Sequence, residues 1–191
     1  MPIIATAGSG KSFKPVPAGV HDAVCANVID LGYEYSELYQ KESRKIMIMW
    51  EVNEPMEDGR PYAIHKRYTL SLNEKAALRK DLEGWRGQKF TEEQLKGFDV
   101  EVLKGKQCQL HIIHNEKDGK VYANIQSVLP KGKNSPPIQV VSSEIPEWVL
   151  KVIEENAAAH AKLEKAPIVI VDNTGAPKVP APATDDTSVP F

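Results

Sequence analysis

The sequence contains only two cysteines and no long apolar run. The first observation argues against a disulfide-stabilised protein and the second against a membrane-spanning one. Cys25 and Cys108 fall on different predicted strands with no paired spacing, so we expect reduced core thiols and no disulfide framework. No apolar run approaches the roughly 20 residues that span a bilayer. The apolar residues near the N-terminus lack the preceding basic region of a signal peptide. We therefore expect a cytoplasmic protein without membrane contact.

An excess of positive charge is also missing, since the formal net charge is −2. This argues against a chain that is basic throughout, but a local basic groove is still allowed because phosphate binding depends on where the charges lie. Acids, serines and histidines form no catalytic arrangement, so we expect neither an enzyme nor a cofactor. Cys108, His111 and His114 do not predict a metal site, because strand alternation turns His111 away from the other two.

Residues 1–18 predict a flexible N-terminal arm. Within the arm, residues 5–12 nearly match a phosphate-cradling P-loop, with Ala5 in place of the first glycine. Such a loop needs a helix directly after it, and Pro15 and Pro17 would break that helix. A P-loop-like nucleotide-binding enzyme is therefore kept only as an alternative function.

Residues 44–72 predict a central β-hairpin. The runs 44–52 and 60–72 alternate apolar and polar residues around a polar connection, which is typical of a hairpin. Basic and aromatic side chains are interleaved in both runs, as in surfaces that bind single strands. Trp50 and Tyr68 share faces with apolar residues, so the pattern also allows a core position for both. The candidate nucleic-acid-binding residues of this hairpin are Arg44, Lys45, Trp50, Tyr62, Lys66, Arg67 and Tyr68.

Two further segments supply candidate ligand-binding residues. Residues 32–41 predict a long polar loop, in which Tyr33 and Tyr35 either stack on bases or pack the loop onto the domain. Strands over 107–114 and 120–129 are joined by a segment that contains an Asp-Gly turn. The candidates beside this second hairpin are Lys117, Lys120 and Tyr122.

A helix is predicted between the third and the fourth strand. Leu78, Leu82 and Trp85 form one apolar stripe over residues 76–85, and a capping-box pattern begins at Ser71. Five strands with a helix in this place predict a mainly β protein with the plan of an OB-fold, a partly open five-stranded barrel. Ligands of such barrels usually bind across the second and third strands.

The rest of the chain predicts appendages to this barrel. Residues 143–164 predict a helix whose apolar patch either docks on the barrel or pairs with another subunit. From residue 165 onward, repeated prolines among small residues predict an extended, disordered linker. The predicted organisation is a flexible arm (1–18), an OB-fold single-strand-binding domain (19–132), a C-terminal helix (143–164) and a Pro-rich linker with an acidic tip (165–191).

The end of the sequence carries a family resemblance. A globular body, a Pro-rich linker and an acidic tip ending in Pro-Phe resemble bacterial single-stranded DNA-binding proteins, and the runs 66–75 and 78–86 resemble bacteriophage-encoded members. The resemblance implies a protein of the host cytoplasm that binds and protects single-stranded DNA, without strong sequence preference, in replication, recombination and repair. The residues matching the tip that docks on replication and repair proteins are Asp185, Asp186, Pro190 and Phe191.

The helix over 143–164 departs from the plan of the cellular family, so the resemblance does not imply a tetramer. A homo-oligomer formed through this helix would suit a strand-annealing or replisome-loading accessory protein, which is the second alternative function.

Overall fold

The structure is a computed structural model, and it describes residues 14–164. The strands are β1 (Gly19–Ser36), β2 (Lys41–Pro55), β3 (Pro61–Thr69), β4 (Gln107–Lys117) and β5 (Lys120–Leu129), and the helices are α1 (Ala77–Arg86), α2 (Glu92–Lys96) and α3 (Glu147–Glu164). Several predictions concern residues outside this range. They are the flexible arm up to residue 13 with its P-loop-like segment 5–12, and the linker over 165–191 with its tip residues Asp185, Asp186, Pro190 and Phe191.

The five strands form one antiparallel sheet in the order β3-β2-β1-β4-β5. The central strand β1 pairs with β2 on one side and with β4 on the other. The edge strands β3 and β5 are not joined by a backbone ladder, so the sheet is not closed. A mainly β protein with five strands, and a helix between the third and the fourth, is thus confirmed.

The first hairpin is longer than the sequence predicted. Residues 32–36 continue β1 and pair with the start of β2, so the predicted loop over 32–41 is wrong for most of its length. The turn itself occupies residues 37–40. A register shift between Asp30 and Gly32, where Gly32 has a φ of 75°, bends the strand. Beyond it the two strands project as a β1–β2 arm (residues 33–44).

The main core lies between the sheet and α1. Cross-strand pairs of β2 and β3 face it, including Ile46 with Tyr68 and Trp50 with Ile64. From α1, the predicted stripe of Leu78, Leu82 and Trp85 packs against these residues, which confirms the stripe.

The start of α1 differs from the prediction. The helix begins at Ala77, and its N-cap residue Ala76 makes no side-chain hydrogen bond. The capping box predicted from Ser71 is wrong, because its hydroxyl accepts a bond from the Asn73 N–H, outside the helix. Further along, Gly84 allows α1 to approach the sheet closely, since a Cβ there would lie 2.6 Å from the Val128 carbonyl oxygen.

Helix α3 covers part of the opposite face of the sheet. Val149 is completely buried there, in a second cluster with Ile29, Leu31 and Met47. The helix begins at Glu147, four residues later than predicted. An extended strap (residues 137–146) precedes it and crosses the same face. No helix within residues 14–164 is both long enough and apolar enough to span a membrane.

Candidate nucleic-acid interface

Three basic side chains line one cleft on the outer face of β2 and β3. Lys45 lies opposite Thr69 and Met47 lies opposite Arg67, so Lys45 and Arg67 are diagonal neighbours on one face. Lys75, just before α1, completes a basic cleft with a cavity volume of about 430 Å³. Lys45 and Arg67 were both predicted from the sequence as nucleic-acid contacts, and the structure brings them together in this cleft.

Lys75 was missed because it lies outside both strands of the hairpin. It reaches the cleft through the connection between β3 and α1, and Ala76 and Ala77 form the adjacent wall. The first turn of α1 contains no acidic residue and no side-chain cap. The first N–H groups of a helix have no partner within it, so this end of α1 adds partial positive charge to that wall. Glu34 is the acidic residue in the lining.

Arg44 does not join its neighbour Lys45 in the cleft. Its guanidinium forms an ion pair with Asp30 on β1, with Nε 3.0 Å from Oδ2, whereas Lys45 Nζ donates to Thr69 Oγ1 on β3 at 2.9 Å. The hydrogen bond from Arg44 holds the pKa of the Asp30 carboxyl below its usual range. The charge of Arg44 is thus already matched by Asp30 at the base of the arm.

Trp50 and Tyr68 belong to the core, so their prediction as base-stacking residues is wrong. Their exposed fractions are 0% and 3%. Both rings have the strand parity of Ile46 and Ile64, which alternation directs inward. Tyr62 shares that parity and packs, half-buried, against the same core, so it is also corrected to a packing residue.

Lys66 is directed inward as well, and its prediction as a phosphate contact is corrected. Its Nζ donates to Asp81 Oδ2 of α1 at 2.6 Å and to the Ile125 carbonyl of β5 at 3.2 Å. The Tyr68 hydroxyl donates to the same carboxylate oxygen at 2.8 Å, and burial raises the pKa of Tyr68. This ion-pair network links β3, α1 and β5 where the sheet lacks backbone pairing.

The tyrosines of the β1–β2 arm are partly exposed. Tyr33 and Tyr35 each show about two fifths of their surface, and Tyr39 at the turn shows most of its own. Tyr33 stacks on the His160 ring of α3, with centroids 4.7 Å apart. Glu34, between Tyr33 and Tyr35, lines the basic cleft, so strand alternation directs these two rings to the other face of the arm.

The candidates of the second hairpin lie elsewhere on the sheet. Lys117 and Lys120 are paired beside the turn between β4 and β5, and Tyr122 is half-exposed on β5. The turn has the predicted Asp-Gly sequence, with φ values of 53° and 70°. None of these three side chains lines the basic cleft.

The strap and α3 are held on the sheet by buried polar contacts that the sequence did not reveal. Glu51 of β2 is 4% exposed, and its two carboxylate oxygens accept the N–H groups of Val141 and Ser142 at 2.6 and 2.7 Å. Further along, the Asn156 side chain donates to the Leu31 carbonyl at 2.7 Å. The strap and α3 therefore cover the outer face of β1 and that of β2 from Met47 to Glu51, whereas the cleft residues Lys45 and Arg67 lie beyond the covered part.

Within residues 14–164, no group of three His, Cys, Asp or Glu side chains could hold a metal ion. Burial raises the pKa of the Cys25 thiol to about 12 and also raises that of Cys108, which suits inert core thiols.

Comparison of the chain with protein-family models and with curated proteins finds no match. The family resemblance therefore stays a prediction.

Proposed function

We propose that this chain is a non-catalytic protein that binds and protects single-stranded DNA, with little sequence preference, during phage replication and recombination. The observation that carries the proposal is the basic cleft, in which Lys45, Arg67 and Lys75 converge on one open face of the sheet. Basic grooves bordered by exposed rings bind single strands, because the cations follow the phosphates and a ring can stack on any base.

The topology supports an OB-fold as the scaffold of this site. The central strand pairs with β2 and β4, and α1 lies between β3 and β4 in the chain. The Lys66 ammonium reaches the Ile125 carbonyl across the open edge, in keeping with a barrel that is only partly closed. In such folds the ligand crosses the second and third strands, where the basic cleft is found.

The proposed strand runs from the basic cleft onto the β1–β2 arm. Three cations in the cleft can each neutralise one phosphate, which for single strands gives a slope of about −0.7 per phosphate in log affinity against log salt. Tyr39, at the turn of the arm, offers an exposed ring, and a stacked base is worth roughly 1–3 kcal/mol. The cleft then supplies salt-dependent affinity and the arm supplies stacking.

The sequence of the tail supports the second part of the proposal, the recruitment of replication and repair proteins. The apolar ring of Phe191 suits an apolar pocket on a partner, and Asp185 and Asp186 suit basic residues around that pocket. The proposal places this activity in the cytoplasm of the bacterial host. A chain shortened before Asp185 is expected to keep its DNA affinity and to lose partner capture.

The test is a titration of fluorescently labelled oligo-dT with the full chain, followed by anisotropy at several salt concentrations, with duplex DNA as a control. Lys45→Ala, Arg67→Ala and Lys75→Ala should each weaken binding and make the salt slope shallower by about 0.7. Lys96→Ala is the matched control, because Lys96 is an exposed lysine on α2 outside the cleft. No binding at low salt would overturn the proposal. If Lys96→Ala weakened binding as much as the three cleft variants do, the basic cleft would not be the binding site.

A further inference from the structure

Trp148, at the start of α3, is the exposed tryptophan among the described residues. It is 44% exposed, whereas Trp50 and Trp85 are 0% and 7% exposed. Its ring lies over the His65 ring of β3, with centroids 5.0 Å apart and planes at 47°. An indole of this kind, held in place by a neighbouring ring and open on its other side, has the form of a stacking platform.

A cavity of about 420 Å³ lies near the start of α3, between the strap and β2–β3. The lining is mainly apolar and includes Met49, Met56, Ala63 and Ile145, and it extends to Glu147, the residue before Trp148. The volume lies in the range of about 300–1,000 Å³ that is usual for small-molecule sites. A planar heterocycle that lies on the indole could therefore extend over an apolar surface.

The cavity and the basic cleft are joined along β3. His65 and Arg67 are two residues apart and exposed on the same outer face, and Arg67 also lines the basic cleft. Partial desolvation of the ring, and then the charge of Arg67, lower the pKa of His65. One continuous surface thus leads from the cleft to Trp148.

The charges along this surface give it a direction. Cations lie at the end with Lys45 and Lys75, whereas Glu144 and Glu147 border the cavity at the other end. The one guanidinium in the cavity lining, that of Arg60, is already paired with Asp58. Phosphates are attracted to the first end and repelled from the second, so a nucleotide bound across Arg67 directs its base toward Trp148.

We infer that Trp148 stacks on a base of the single strand whose phosphates lie in the basic cleft. The inference rests on the proposed function and adds a base-contacting residue that no strand of the sheet supplies. Helix α3 covers the outer face of β1 and of the middle of β2, and Trp148 of this helix provides an exposed ring. Because a π face accepts any base, this contact suits binding without sequence preference.

The experiment compares intrinsic tryptophan fluorescence with anisotropy in titrations of the full chain with oligo-dT. A base stacked on Trp148 should quench the fluorescence as the complex forms. Trp148→Ala should weaken binding about 5- to 150-fold, the range for one stacked base. Trp148→Phe should retain the affinity and lose the quenching, because it keeps a ring but removes the indole. Leu150→Ala, a similarly exposed position of α3, is the control and should change neither signal.

Each failure has its own signature. Full affinity of Trp148→Ala, or no quenching in a wild-type chain that binds by anisotropy, would overturn the inference and leave the proposed function intact. Equal weakening by Trp148→Ala and Trp148→Phe would also overturn it, because the indole would then serve to seat α3. Absence of wild-type binding by anisotropy at low salt would overturn the proposed function itself.

Discussion

Removing the Lys66 ammonium should destabilise the fold strongly without weakening binding at the proposed nucleic-acid site. The ammonium is hydrogen-bonded to Asp81 and to the Ile125 carbonyl, and the side chains of Lys66 and Asp81 are 27% and 8% exposed. Lys66→Met would leave the Asp81 carboxylate buried, with the Tyr68 hydroxyl as its remaining donor. Breaking such a pair is strongly destabilising because it leaves one buried charge without its partner.

The expected cost follows from the burial. Breaking a fully buried pair costs about 3–5 kcal/mol, and the partial exposure of Lys66 places this pair at the lower end, about 3 kcal/mol. That is a large part of the about 5–15 kcal/mol of a typical domain. For a chain of this size it corresponds to a fall in Tm of roughly 6–12 °C. Asp81→Asn, which removes the charge and keeps an acceptor, should cost less.

The assay is a double-mutant cycle on Lys66→Met, Asp81→Asn and the double variant, with the free energy of unfolding measured in urea. The double variant should be more stable than the sum of the single effects predicts, by at least about 1 kcal/mol. Folded Lys66→Met should bind oligo-dT as the wild type does. A cost for Lys66→Met below about 1 kcal/mol, or an additive cycle, would refute the structural role. Unchanged stability with lost affinity would instead assign Lys66 to the DNA.

Two further predictions concern the strap and α3. Glu51→Gln removes one of the two acceptor oxygens facing Val141 and Ser142, so amide exchange there should quicken about 10- to 100-fold, with the Trp50 amide as an unaffected control. The hydrogen bond to Glu42, and after it the charges of Glu42 and Glu164, raise the pKa of His160. His160 holds α3 against the arm through Tyr33 and Glu42. The stabilisation from its positive charge should be complete below about pH 6.5 and should be lost as the pH rises through the raised pKa. NMR of the His160 ring and of α3 amides would measure this, and Glu42→Gln should reduce the pH dependence, leaving the part that comes from Glu164.

Alternation predicted the faces of β2 and β3 correctly where the ladder is regular. Lys45 and Arg67 are directed outward together, and Ile46 and Ile48 inward, because both strands pair without interruption over this stretch. On β5, a register shift between β4 and β5 inserts Gln126 as an extra residue. Val128, which simple alternation would place on the same face as the exposed Tyr122, is consequently buried. A bulge of this kind contains no glycine and leaves no signal in the sequence.

The ion pair between Lys66 and Asp81 could have been predicted from the sequence. Lys66 interrupts the apolar face of β3, and Asp81 interrupts the apolar stripe of α1 between Leu78 and Leu82. Since a charge on a buried face is seldom left unpaired, two opposite charges on two faces that share a core predict a contact. The positions of Glu51 and Trp148 could not be inferred in this way, because each contact depends on where the strap and α3 cross the sheet.

The same rule of alternation separates the two kinds of nucleic-acid candidate. Within the hairpin, the aromatic positions have the inward parity and pack the core, while Lys45 and Arg67 have the outward parity and form the cleft. In this small sheet the large rings of the strands fill the core between the sheet and α1. Rings for stacking must therefore come from elements outside the core, and here those elements are the β1–β2 arm and α3. If this reasoning holds, Trp148→Ala will weaken oligonucleotide binding at unchanged stability, whereas substitution of Trp50 will act through stability alone.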